Sequence, residues 1–252
     1  MAHFYECNGD DPIFREDVST PAQARKAGSK VYPSVTTVLS VLKDPFIDGM
    51  WRPEQLVKLA REYPSLAWQD IERLTYGTRP HPVTGDQISS SEFGTSVHAE
   101  IEGLINEVIG HGAHEKSAYY PWAKTFVDWV SNNGIQPVAC EHIVSCNRIK
   151  TAGSVDFIGY DADGNLFLAD YKCRSNTKGK AKTYRKDCQQ LAVEALMLSK
   201  RLKLDYFPEC LSVIIDCETK EHMHKWWSLE ERQKGADMAR SLARIYWKDR
   251  MK

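Results

Sequence analysis

The stretch AGSVDFIGYDADGNLFLADYKC, residues 152 to 173, reads as two apolar strands about a polar turn, yet it places Asp156, Asp170 and Lys172 inside those strands. Side chains alternate across a strand, so Asp170 and Lys172 share one face while Tyr171 points to the other. A five-residue loop centred on Asp163 pairs Tyr160 with Leu166 and sets Asp156 directly opposite Asp170, their Cβ atoms roughly 4.5 to 5.5 Å apart. A two-residue turn at Asp163 and Gly164 pairs Asp156 with Tyr171 instead and sends it to the other face, unless a bulge intervenes. The odd register is the expectation, because it brings two carboxylates together where the even one scatters them.

Like charges opposed across a sheet repel, and partial burial makes the repulsion worse. Both faces of these strands are rich in apolar residues (Val155, Phe157, Ile158, Phe167, Leu168), as in the centre of a sheet. A hard divalent cation bridging Asp156 and Asp170 resolves the conflict, since Mg2+ is typically held by one or two carboxylates with waters and substrate phosphate. An ion pair of either acid with Lys172 is the plainer structural alternative. Beside a metal, the Lys172 ammonium would orient or deprotonate an attacking water and offset charge on a phosphoryl transition state. This set of groups suits phosphodiester hydrolysis.

The elements that must hold these residues can be read from the pattern around them. Residues 1 to 30 are polar and turn-rich, with a short strand at HFYEC, and are expected to form a loosely packed arm. A helix starts near YPSVTTVLSVL, capped by Ser34, Thr36 or Thr37. Helical pieces follow around PEQLVKLARE and LAWQDIERLTYG. In GTSVHAEIEGLINEVIGHG, Gly94 with Thr95 or Ser96 opens a clearer helix whose Val97, Ile101, Leu104, Ile105 and Val108 form one apolar stripe. His98 and Glu102, four apart, stack on one face of it. After a helix at YPWAKTFVDWVSNNG come a strand at 137 to 146, the acid-bearing hairpin, a long helix from about Tyr184 to Leu202, a hairpin of LSVIID and HMHKWW, and a last helix opened by a Ser228–Glu231 capping box.

The 252 residues, 42% of them hydrophobic, are enough to bury a large core in one domain or a domain with an appended lobe. The expected division is an arm (1–30), a helical lobe with the His98 helix (31–135) and a catalytic core (136–252), continuous with one another. No window has the apolar length of a membrane span, and the N-terminus lacks the order of a secretory signal, so a cytoplasmic location and no membrane partner are expected. Seven scattered cysteines without a CxxC pair imply reduced thiols and no zinc or iron–sulfur site. The formal net charge is -1, so any attraction to a polyanion must be local. It is concentrated in RSNTKGKAKTYRK, residues 174 to 186, which holds six basic residues and no acid. Such a run is ordinarily a solvated loop, but this one directly follows the acid-bearing strand.

GSVD followed by ADYK resembles the G-x-x-D and (D/E)-x-K motifs of the PD-(D/E)XK nuclease superfamily, with Asp156, Asp170 and Lys172 at the signature positions. GTSVHAEIE is similar to the G-x-x-x-H helix of the RecB-type branch and maps to His98. ACEHIV resembles the preceding acid-bearing strand, here with Glu141, and CQQLAVEAL the Q-x-x-x-Y helix, with Gln190 matching and Glu194 where Tyr is usual. YPSVTTVL is typical of phage and mitochondrial members.

The resemblance spans about residues 31 to 200. It implies an α/β fold, a mixed central sheet flanked by helices, and a metal-dependent DNA exonuclease acting on ends or single strands in replication, recombination or repair. An endonuclease or nickase of the same superfamily, or a catalytically silent DNA-binding protein, are the alternatives. Implied with it are Mg2+ or Mn2+ held by His98, Asp156, Asp170 and the Tyr171 carbonyl, with Glu102 behind them and no iron–sulfur cluster. The same reading gives Arg174, Lys178, Lys180, Lys182, Tyr184, Arg185, Lys186 and Gln190 to DNA, in a bacterial or phage-infected cytoplasm with possible recombination or replication partners.

Overall fold

The computed structural model describes every residue except Met1, Asp10, 42–51, Tyr76, 176–178, Ala181, Met251 and Lys252. At the N-terminus, β1 (Phe4–Glu6) pairs with β2 (Ile13–Phe14) and, beyond helix α1 (Pro21–Ala27), with β3 (Val31–Pro33), both antiparallel. Thr20 and Gln23 cap α1 reciprocally. Phe4, Val18, Ala24 and Val31 close a small core, while Tyr5, Cys7 and Tyr32 pack on Ala152 of the main sheet. This segment is therefore docked rather than loose, a difference that strands of two or three residues are too short to announce by alternation.

Ser34 caps α2 (Val35–Leu39), its Oγ accepting the Thr37 N–H at 3.0 Å. Next come α3 (Arg52–Glu62), α4 (Trp68–Leu74) and a hairpin of β4 (Thr78–Pro80) and β5 (Gln87–Ser89). Helix α5 (Ser90–Val108) starts earlier than expected: Ser89 is its cap, accepting from the Glu92 N–H at 3.1 Å, and Gly94 lies inside the helix. Its Phe93, Val97, Ile101, Leu104 and Ile105 pack with α6 (Tyr120–Asn132) over one face of the main sheet.

That sheet contains β6 (Gln136–Cys146), β7 (Thr151–Tyr160) and β8 (Leu166–Arg174), joined by short turns. Helix α7 (Arg185–Leu202) then crosses to β9 (Glu209–Asp216), β10 (His222–Trp226) and the closing helix α8 (Leu229–Arg250). The strand order is β10-β9-β8-β7-β6, and all neighbours are antiparallel except β8 and β9. A parallel pair needs a long crossover, and α7 supplies it. Helices α2, α7 and α8 cover the second face, over Val144, Val155, Ile158, Leu166 and Leu168. The α/β class with a mixed sheet between helices is thus the observed architecture. Ser228 and Glu231 form the capping box of α8. Among the described residues, no helix is long and apolar enough to cross a membrane.

Candidate active site

The β7–β8 ladder runs from Tyr160↔Leu166 to Phe157↔Ala169, so its next step sets Asp156 opposite Asp170. The five-residue loop fixes that register. Asp161 Oδ1 accepts the N–H groups of Asp163 and Asn165, and Gly164 takes φ +83°, a left-handed conformation that glycine adopts without a Cβ clash. The two-residue turn does not form.

On its other side, β7 pairs Phe157 with Cys140 and then Val155 with His142, which leaves Glu141 facing Asp156. Cys140 and Phe157 belong to the α5–α6 side, whereas Val155 lies on the α7 side with Ile158. Both strands therefore change facing at one step. Glu141 bears the cost, with φ +47°, a conformation uncommon for a residue with a side chain and concentrated at functional sites. Its Oε2 accepts from Ser154 Oγ at 2.7 Å.

Three carboxylates from three adjacent strands thus form one row in a nearly dry environment, with Asp170 1% and Asp156 9% exposed. Asp156 Oδ2 accepts the Tyr171 N–H at 2.8 Å and lies 3.6 Å from His98 Nδ1. The His98 ring stands edge-on to Tyr171 at 5.4 Å, which fixes it between α5 and the sheet. One ligand atom each from His98, Glu141 and Asp156 lie within 4.8 Å of one another. Asp170 is held differently: Oδ1 is paired with Lys172 Nζ, and Oδ2 is buried without a hydrogen-bond partner. The ion pair named as the plainer alternative is therefore present alongside the acid row.

Burial and the neighbouring Asp170 push the Asp156 carboxyl up to about 6, against the opposing pull of His98 and Lys172. Burial alone would lower the Lys172 ammonium, but Asp170 and Asp156 outweigh it and hold it above its usual range. Lys172 is a fixed cation in this state rather than a base. Glu102, on α5 one turn past His98, is raised by burial and by Glu141.

Glu194 on α7 is a fourth carboxyl beside the row. Burial, with Asp170 and Asp156, raises it well above the ordinary carboxylate range, and Gln190 Nε2 donates to its Oε1 at 3.3 Å. A Cβ on Gly153, the glycine of GSVD, would stand 3.3 Å from Glu194 Oε1 and 3.2 Å from Val35, so glycine lets α7 bring this group in. In the sequence, Glu194 stood out only as a departure from a motif; an acid flanked by apolar residues on an amphipathic helix was the available signal.

The basic run is less uniform than its composition. Arg174 pairs with Asp187 at 2.8 Å, reaches the Lys182 carbonyl and stacks over Tyr184 at 4.5 Å, all of which ties down the start of α7. Lys180, Lys182, Tyr184, Arg185 and Lys186 are exposed, and Lys178 lies outside the described residues. Gln190 is half-buried and donates to Glu194.

A buried carboxylate oxygen without a partner, in a set of hard oxygen donors and one imidazole, suits a small divalent cation. No family model matches the chain, and no curated protein does. Among solved structures it is similar to a putative exonuclease from Eubacterium rectale (13% identity, 64% of this chain and 68% of that one, TM-score 0.41). It is also similar to an alkaline exonuclease from Laribacter hongkongensis (15% identity, 61% and 81%, TM-score 0.32). The same exonuclease in complex with dAMP gives 12% identity, 78% and 91% coverage, and a TM-score of 0.33. Likenesses of this size carry no functional argument; the chemistry of the acid row does.

Proposed function

We propose that the protein is a metal-dependent deoxyribonuclease that hydrolyses phosphodiester bonds, acting as an exonuclease on DNA ends or single strands. The reading is carried by the row of Glu141, Asp156 and Asp170 with His98 and Lys172 around it, an arrangement that repels itself unless a cation joins it. His98, Glu141, Asp156 and Asp170, with the Tyr171 carbonyl, would hold Mg2+ or Mn2+. The metal would supply Lewis-acid charge stabilisation and a more acidic water.

This chain's own residues do the rest. The Tyr171 N–H fixes Asp156 Oδ2, and Ser154 fixes Glu141. Lys172, in its protonated form, would place a positive charge where a phosphoryl group gains negative charge, an electrostatic contribution that grows in a water-poor site. Gln190 and Glu194 close the side towards α7. The exposed lysines and arginines after β8 would position the backbone of the substrate.

End-labelled linear and covalently closed circular DNA, single- and double-stranded, incubated with Mg2+, Mn2+ or EDTA, test the reading. Loss of linear substrate that EDTA stops, with circles intact, is the expected result. Nicked or linearised circles would replace exonuclease with endonuclease. Intact DNA under every metal condition would overturn catalysis.

A further inference from the structure

Past the step at Glu141 and Asp156, β7 no longer pairs with β8, and the β6–β7 hairpin, bridged at Ala152 by Ser34, continues to a tip at residues 147–150. That tip meets the C-terminal half of α7 and the face of α8 around a groove of about 630 Å3. Arg148 and Lys150 from the tip, Lys200 from α7, and Arg240 and Arg244 from α8 line it against a single acid, Asp237. Asp237 is already spoken for, paired with Arg240 at 2.6 Å. Arg148, Lys200 and Arg244 are exposed and have no carboxylate partner among the described residues.

In a chain whose formal charge is -1, so local a surplus of cations repels itself and is stabilised by a bound polyanion. We propose that this groove is a second phosphate-binding surface, which holds the backbone of single-stranded DNA beside the acid row; it rests on the nuclease reading for its purpose.

Three observations favour a nucleic-acid backbone. The groove gathers five cations from three elements against one acid, more positive charge than a single phosphate group would neutralise. Arg240 and Arg244 are one helical turn apart, about 6 Å along the axis at 1.5 Å per residue, a spacing suited to successive phosphates of one strand. Helix α7 runs from the acids to the groove: Lys200 is six residues beyond Glu194, about 9 Å along the helix and about 240° around it. Lys150 lies over the ring of Trp247 at 5.1 Å, and the indole N–H donates to the Lys150 carbonyl at 2.9 Å, so this aromatic is engaged internally. The contacts on offer are therefore to phosphate, without reading of sequence.

The test is the double variant Lys200→Gln/Arg244→Gln in the full chain, with binding of a fluorescent 30-nucleotide oligothymidine followed by anisotropy in EDTA across a salt series. Both residues are exposed and have no carboxylate partner among the described residues, so the variant should melt as the parent does. The expected result is an affinity loss of about tenfold, with the slope of log K against log salt shallower by about 1.4, two contacts at about 0.7 each on single strands. Unchanged affinity and slope overturn the proposal. So does an intact slope for DNA together with lost binding of inorganic tripolyphosphate, which would assign the groove to a small anion. Because no cleavage is needed, a protein that binds DNA through this groove yet hydrolyses none with Mg2+ or Mn2+ would sink the nuclease reading and leave the groove standing.

Discussion

The acid row and the basic run that follows it are neighbours in sequence, joined at Arg174, and they are held in place in opposite ways. Pairing on both sides of β7 fixes the acids, with Asp161 ordering the turn and Ser154 and the Tyr171 N–H gripping individual carboxylates. Among the described basic residues of the run, Arg174 alone has such partners; Lys180, Lys182, Arg185 and Lys186 are exposed. Groups that perform chemistry need a fixed geometry, whereas groups that hold a flexible polyanion need mainly charge and reach.

The largest expected effect comes from breaking the fixed half. Asp156→Asn and Asp170→Asn should reduce cleavage to background, and Lys172→Ala should lower kcat on the order of 10²- to 10³-fold, as removal of one transition-state donor does. Single-turnover assays on end-labelled DNA measure both; near-normal rates for either acid variant would remove the row from the chemistry.

Thermal melting of the metal-free protein sharpens the same point. The folded-state carboxyl of Asp156 lies near 6, above its usual 3.8, so the native state binds the proton more tightly than the unfolded chain does. Its ionisation therefore costs stability as pH rises from about 4 to 6. Asp156→Asn should melt higher than the parent above pH 6, with the difference fading towards pH 4. A variant that melts lower at pH 7 would mean that the hydrogen bond from Tyr171 outweighs the repulsion.

Next in size is the contrast within the run. Arg174→Gln should cost roughly 1 to 3 kcal/mol by urea denaturation, because it leaves a buried Asp187 without its charged partner. Lys180→Gln/Lys182→Gln should leave stability unchanged and raise only the DNA concentration needed for half-maximal rate, in a salt-dependent way. Equal stability losses in the two variants would erase the distinction. The smallest effect belongs to Glu194→Gln, which should retain most activity at pH 7, since burial already favours the uncharged acid there; a drop comparable to that of the Asp170 variant would make Glu194 an ionised participant.

Alternation alone places Asp170 and Lys172 on one face. The order of residues equally offers a two-residue turn at Asp163 and Gly164, and the odd register is preferred because it joins two carboxylates rather than scattering them. Helix existence was legible from apolar stripes, but the start of α5 was not: Gly94 reads as an opening signal, yet the Ser89 cap and good packing by Phe93 override the roughly 1 kcal/mol that a helical glycine costs relative to alanine. The facing of Glu141 and Asp156 depends on a simultaneous change of side in two strands, which no periodicity encodes. Arg174 shows the limit most clearly, because composition counts it as one more surface cation while its partner Asp187 lies thirteen residues away across a turn.

The crossover between β8 and β9 has a consequence for how this protein could vary. Antiparallel neighbours tie register to loop length, so one residue added between β7 and β8 would turn Asp156 away from Asp170. The parallel pairing of β8 and β9 ties no register to the length of the connection between them, and each doubling of a loop's length costs only about 0.6 kcal/mol. On the proposed reading, insertions and substitutions there can retune substrate grip in a lineage while the geometry of the acid row stays constant. Sequence drift should therefore be tolerated on the two sides of Arg174 to very different degrees.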